Sequence, residues 1–311
     1  MGMLYGFLAA VFAAASNLFL RRSLDAGGTV RSFLVIQMGV ALLAALLAGP
    51  LKAGEWNLPL STSLLGLLAG VVLAVMLIFL GKALEVGPAG LTFSVLSGAT
   101  VMPAVVMTVL FGPARGFVYT PWHALGSLLV LAGLYWAGRG NSEIANRPRW
   151  AVFLTLMFSF HVILLVIFQW RAILINAPKV EEISPFFTAE TIRSLWFMPM
   201  LYVGAATVQL AVYLRHERRL PTKREWKNGI SGGLVSWLCT LFLVLGTQKA
   251  TGFENVVIYP LYSIATVILS NLWSQKLYQE KVNWRAAQIA SVGLFVGTVD
   301  WKAFLAALKI F

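Results

Sequence analysis

Apolar residues run along this chain in long blocks separated by short polar connections. No Asp, Glu, Lys or Arg occurs within residues 1–20, 32–51, 56–81, 86–114, 116–138, 150–170, 194–214, 228–248, 255–275 or 286–299. A helix rises about 1.5 Å per residue, so roughly 20 residues cross a bilayer core. Nine blocks reach that length. The tenth is shorter and is expected to continue as helix past Asp300 and Lys302, with both at the interface beside Trp301. The pattern predicts an all-α membrane protein of ten transmembrane helices.

The blocks also repeat. Ser97, Gly98, Ala99, Thr100 and Val101 in the fourth block return as Ser263, Ile264, Ala265, Thr266 and Val267 in the ninth, with four of the five residues kept. The longest polar linker of the first half, 139–149, divides the chain into a first unit, 1–138, and a second, 150–311, of five spans each. Five is odd. The second unit must enter the membrane from the opposite side, giving two inverted repeats of the kind that place a binding site between them near the midplane.

Within the spans, Pro103 and Pro199 are expected to kink or open helices four and seven, because each removes a backbone hydrogen bond. Helix six is predicted over 150–170, with His161 at its centre. The segment that follows, to residue 191, reads as a short amphipathic piece at the surface. Lys82 with Glu85, and Lys249 with Glu254, are expected to pair locally.

Composition agrees with the pattern. The 311 residues are 59% hydrophobic and only 12% charged, with a mean hydropathy of +0.80, which excludes a soluble globular chain. A net charge of +12 could suggest nucleic acid, but the basic residues sit in short loops rather than on one face. Anionic lipid headgroups are the partner they suit. Most of the 24 basic residues fall in the loops after odd-numbered spans, which the positive-inside tendency makes cytoplasmic and which puts both termini outside. Cys239 is the single cysteine and excludes an intrachain disulfide. No basic residue precedes the first block, so it is read as a retained helix rather than a signal peptide. Trp122, Trp150, Trp170, Trp284 and Trp301 read as interface anchors.

Candidate chemistry is sparse. His161 is titratable and mid-span, costly against lipid, and so belongs inside the bundle. It is either a proton-coupling or substrate-binding group or a neutral histidine bonded to another helix. Ser97 and Thr100 share one helical face and suit close packing or ligand contact. Tyr259, Tyr262, Ser263 and Thr266 form a stripe that could line a cavity or pack. Asn17 and Gln37 carry amides that need partners in lipid, and Trp237 could wall a cavity. Neither a cofactor motif nor a nucleotide-binding loop is present. His123, His161 and His216 fall on separate elements without metal-ligand spacing, which counts against a membrane enzyme.

With ten spans in two units, links at 83–89 and 250–254, and the Gly126/Gly133 and Ala290/Gly297 pairs seven residues apart, the chain resembles the drug/metabolite transporter superfamily, and most of all its ten-helix EamA-type carriers. The resemblance implies a central cavity lined by helices 1, 3, 4, 6, 8 and 9, with helices 5 and 10 as peripheral struts. It also implies cytoplasmic termini, against the loop charges. The acidic residue common after the fourth helix is absent around residues 113–115, although Glu280 supplies one after the ninth. The membrane-embedded glutamate of small cation exporters is missing from helix 1. The expected function is a secondary carrier for a small neutral or zwitterionic metabolite, amino-acid-like, nucleoside-like or sugar-like, in the inner membrane of a bacterium. Translocation of a lipid or lipid-linked substrate by the same fold is the alternative, and a second copy of the chain is the protein partner left open.

Overall fold

A computed structural model describes residues 1–87, 89–112, 120–138, 146–250, 254–279, 284–297, 299 and 301. These residues form helices and no strand. They are α1 (Gly2–Asp25), α2 (Val30–Ala48), α3 (Pro50–Ala53), α4 (Leu60–Val86), α5 (Ala89–Gly98), α6 (Met102–Phe111), α7 (Pro121–Gly138), α8 (Arg147–Asn176), α9 (Ala189–Arg193), α10 (Phe197–His216), α11 (Lys223–Lys249), α12 (Glu254–Tyr278) and α13 (Trp284–Val296). Among the described residues six helical stretches are long and apolar enough to cross a membrane: α1, α2 with α3, α4, α8, α10 and α11. The protein is an all-α, multi-pass membrane protein.

Several boundaries differ from the sequence reading, each for a local reason. Proline acts differently at its two sites. A 3-10 turn over Ala99–Val101 separates α5 from α6 just before Pro103, which has no N–H to give the carbonyl four residues back. Pro199 makes no kink, because α10 begins at Phe197 and a first-turn residue needs no N–H. Helix six is longer than predicted at both ends. The Asn146 side chain caps it by accepting from Arg149 N at 3.1 Å, so 147–149 belong to α8 rather than to the linker. At its other end α8 runs on through Arg171 to Asn176. Glu85 pairs with Arg31 at 3.6 Å instead of with Lys82, whose Nζ lies 5.6 Å from the rings of both Phe79 and Phe153. Linker residues 139–145, Glu280, residues 113–115, the continuation past Asp300 and Lys302, and the Glu254 side chain lie outside the described residues, as does part of each link between the third and fourth spans of a unit.

Packing joins the two halves of the chain throughout. α1 lies against α11 and α12, α2 against α10 and α11, α4 against α8 and α10, and α7 against α13. Lipid tails are as apolar as leucine, so close van der Waals fit rather than burial from water holds such pairs, and small residues permit it. A Cβ on Gly66 would stand 2.6 Å from Phe197 O, and one on Gly70 would overlap Leu201 O. On α11, a Cβ on Gly229 would stand 2.7 Å from Ile36 Cβ, and one on Gly233 2.8 Å from Gln37 O. The glycines flagged in the fifth spans meet as well, Gly126 against Gly297 and Gly133 against Ala290.

Candidate functional site

Three groups of polar side chains lie along the bundle, and the helix breaks explain the first. Where α5 tightens into the 3-10 turn, the carbonyls of Leu96 and Ser97 take side-chain donors. His161 Nδ1 lies 2.8 Å from Leu96 O, so Nδ1 carries the hydrogen of that bond. Thr100 Oγ1 and Ser263 Oγ donate to Ser97 O at 2.8 and 2.7 Å. The two repeated pentads therefore touch. Tyr259 is buried with its hydroxyl 3.4 Å from Leu165 O, Tyr262 OH stands 3.9 Å from Cys239 Sγ, and Thr266 Oγ1 donates to Tyr262 O at 2.7 Å. These contacts gather His161, Ser97, Thr100 and Ser263 into one seam between α5, α8 and α12. Gln37 lies elsewhere, donating to Ser16 Oγ of α1 at 2.8 Å. Asn17 is half-buried and makes no side-chain hydrogen bond to the described residues.

Trp237 belongs to a different place. It lines a cavity of about 210 Å³ between the ends of α2, α8, α10 and the second half of α11. Trp237, Leu241, Val244, Leu245 and Gln248 form one stripe of α11 on its wall. Eleven residues at helical rise carry that stripe about 16 Å, from near the middle of α11 almost to its end. Opposite stands Arg171, only 5% exposed. Its Nη2 donates to Ile192 O at 3.0 Å and reaches Ser194 O at 3.5 Å, and its guanidinium lies 4.2 Å from the Phe197 ring centroid. Arg193 and Ser194 complete the mouth. The strap that carries them, residues 177–196 between α8 and α10, is held down by buried Val180, Phe187 and Ile192 and by Thr62, which donates to Thr191 O.

The third group closes the far end of the bundle. Glu225, in the first turn of α11, forms a capping box with Thr222 and is fully buried. Its carboxylate accepts from Arg219 Nη1 and Nη2 at 2.8 and 2.7 Å, from Thr222 N at 2.7 Å and from Thr29 N at 3.0 Å. Arg31 and Arg219 both pair with Glu217, at 3.5 and 3.6 Å. The hydrogen bonds it donates to Glu225 hold the Arg219 guanidinium above its ordinary range, so it stays charged. This clasp ties the α1–α2 connection to the α10–α11 connection. Through Arg31 it reaches Glu85, which puts the Lys82 end of α4 beside the start of α11, while Lys249 closes α11 at the other end of the bundle.

Sequence reasoning missed Arg171, Arg193, Gln248 and the clasp. A charge that ends an apolar block places Arg171 in the surface segment on sequence grounds. The signal was present nonetheless, since Ala172, Ile173, Leu174 and Ile175 resume the block directly after it. Among the described residues no group of His, Cys, Asp and Glu could hold a metal ion.

No family model matches the chain, and no curated protein matches its sequence. The fold itself recurs. A solved structure described only as "Crystal structure of protein" superimposes with a TM-score of 0.67 over 96% of this chain and 96% of that chain, at 16% identity, a likeness of fold alone.

Proposed function

We propose that the protein is a secondary carrier that moves a small organic metabolite by alternating access, within the drug/metabolite transporter group that its sequence resembles. One observation carries the reading. Exchange each helix for its counterpart five spans along, α1 with α8, α2 with α10, α4 with α11, α5 and α6 with α12, and α7 with α13, and the most closely packed pairs turn into one another. The Gly66/Gly70 pair against α10 likewise becomes Gly229/Gly233 against α2. Two interlocked units related in this way can rock about a shared centre. The cavity beside Arg171 opens at one end, and the Glu225 clasp holds the other end shut. Together they correspond to one of the two states that alternating access requires. At about 210 Å³ the cavity is below the roughly 300–1,000 Å³ typical of drug-sized ligands, which fits a small solute.

The test is counterflow in proteoliposomes. Preloaded amino acids, nucleosides or sugars should drive accumulation of the labelled solute, and His161→Ala should alter the pH dependence of exchange. Movement of labelled lipid with no solute exchange would replace the carrier with a lipid translocase.

A further inference from the structure

Arg171 is the side chain that the functional reading leaves unexplained. A guanidinium carries five N–H donors, and removing its charge from water costs several kcal/mol unless an anion and hydrogen bonds compensate. Arg171 has two carbonyls on Nη2 and an aromatic face beside it, while its buried Nε–H donates to nothing. Among the described residues no carboxylate pairs with it. Glu55, the acid bound to the same strap, is engaged by Ser194 Oγ at 2.5 Å and Leu195 N at 3.3 Å. A buried cation without a counter-anion among the described residues therefore lines a cavity that also presents Trp237 and Gln248, neither of which makes a side-chain hydrogen bond to the described residues. Arg193, exposed at the mouth and donating to Ile175 O at 3.2 Å, adds a second positive charge along the approach.

We propose that this cavity is an oxyanion subsite, in which the Arg171 guanidinium receives the carboxylate of a small water-borne solute. The identification of that solute as the transported one rests on the carrier reading above. The apolar stripe of Leu241, Val244 and Leu245 takes the solute's hydrocarbon part, and the neutral polar groups of Trp237 and Gln248 stand at the two ends of that stripe. The structure thereby narrows the substrate class from neutral or zwitterionic metabolites to those with a carboxylate, amino acids and short organic acids among them. A phosphate headgroup of an anionic lipid is the competing source of an oxyanion. The small volume and the mouth at the strap favour the free solute.

The experiment uses the purified full-length chain and thermal unfolding, because a ligand of the folded state raises apparent stability. The probes are a panel of amino acids and short mono- and dicarboxylates, each beside its own carboxamide. At least one acid should raise the unfolding midpoint while its amide does not. Charge-assisted hydrogen bonds contribute about 1.5–3 kcal/mol, so Arg171→Gln should raise the half-effect concentration tenfold or more. Since that variant also releases the carbonyls of Ile192 and Ser194, Leu245→Trp supplies a second perturbation that fills the cavity without touching them, and it should abolish the effect. The proposal is overturned if no acid stabilises, if acid and amide act alike, if both variants respond as the wild type does, or if only phosphatidylglycerol stabilises. Solute exchange that ignores Arg171→Gln would keep the carrier and remove the subsite. Arg171-dependent acid binding without exchange would keep the site and remove the carrier.

Discussion

Replacing Glu225 with alanine tests how much of the bundle's stability resides in the clasp. The Glu225 side chain is 1% exposed and Arg219 38%, so the two partners lose the pair on unequal terms. Alanine strands the N–H groups of Thr29 and Thr222, each costing about 1–3 kcal/mol if buried without a partner. Breaking a fully buried pair costs about 3–5 kcal/mol, but the Arg219 guanidinium can turn to water, which brings its share towards the ~0–1 kcal/mol of surface pairs. The expected loss is therefore about 2–4 kcal/mol, set mainly by the two backbone donors. Glu225→Gln keeps one oxygen acceptor and should lose about half as much. Lys179 and Glu182 provide the control: their pair is 2.7 Å long but 71% and 65% exposed, so Glu182→Ala should change stability by less than about 0.5 kcal/mol. Equilibrium unfolding in mixed micelles, titrated with a denaturing detergent, reads all three. If Glu225→Ala behaves like Glu182→Ala, the clasp is a surface ornament and the far end of the bundle is held by packing alone.

Other substitutions probe the remaining features. Gly70→Ala would drive a Cβ into Leu201 O and should destabilise by about 1–3 kcal/mol, whereas Gly39→Ala, with nothing within 4 Å, should be neutral or slightly stabilising in the same unfolding assay. Gly233→Ala, the counterpart on α11, should follow Gly70→Ala. His161→Ala leaves Leu96 O without its side-chain donor and should cost about 1 kcal/mol, while an unchanged pH profile of exchange would remove His161 from any proton pathway. In a Cys239→Ser background, cysteines placed at Lys82 and Lys249 should react with a membrane-impermeant maleimide from opposite faces of sealed vesicles; labelling of both from one face would break the inverted arrangement.

The all-helical, membrane-spanning character of the chain was legible in the sequence because charge-free blocks and bilayer thickness leave little freedom. The ends of those helices were not. A charged residue ended each predicted span, yet Arg171 and Arg147 both lie within α8, because a cap or a carbonyl partner decides where a helix stops and charge alone does not. The contact between Ser97 and Ser263 brings together equivalent positions of the repeated pentad, a meeting that the repeat alone did not disclose. Gly66 and Gly70, and Gly229 and Gly233, were equally visible as pairs four residues apart and went unread, being packing signals without chemistry of their own. Of the candidate polar residues, most turn inward onto backbone carbonyls. Only Trp237 borders the cavity, since side-chain type alone does not tell a residue that faces a space from one that fills it.

The cross-packing of the halves has a consequence for how the protein is made. When residues 1–138 have left the ribosome, α1, α2, α4 and α7 have each other for company but lack the helices against which they finally pack most closely. At about 5–20 residues per second, the second unit needs roughly 10–30 s more to emerge. Through that interval the early helices must wait in the bilayer as independently inserted rods, with Gln37 and the other amides sheltered by chaperones, by lipid defects or by transient neighbours. Quality control of this protein thus hinges on its last helices, and cutting the gene between the units while expressing both pieces should still assemble the whole.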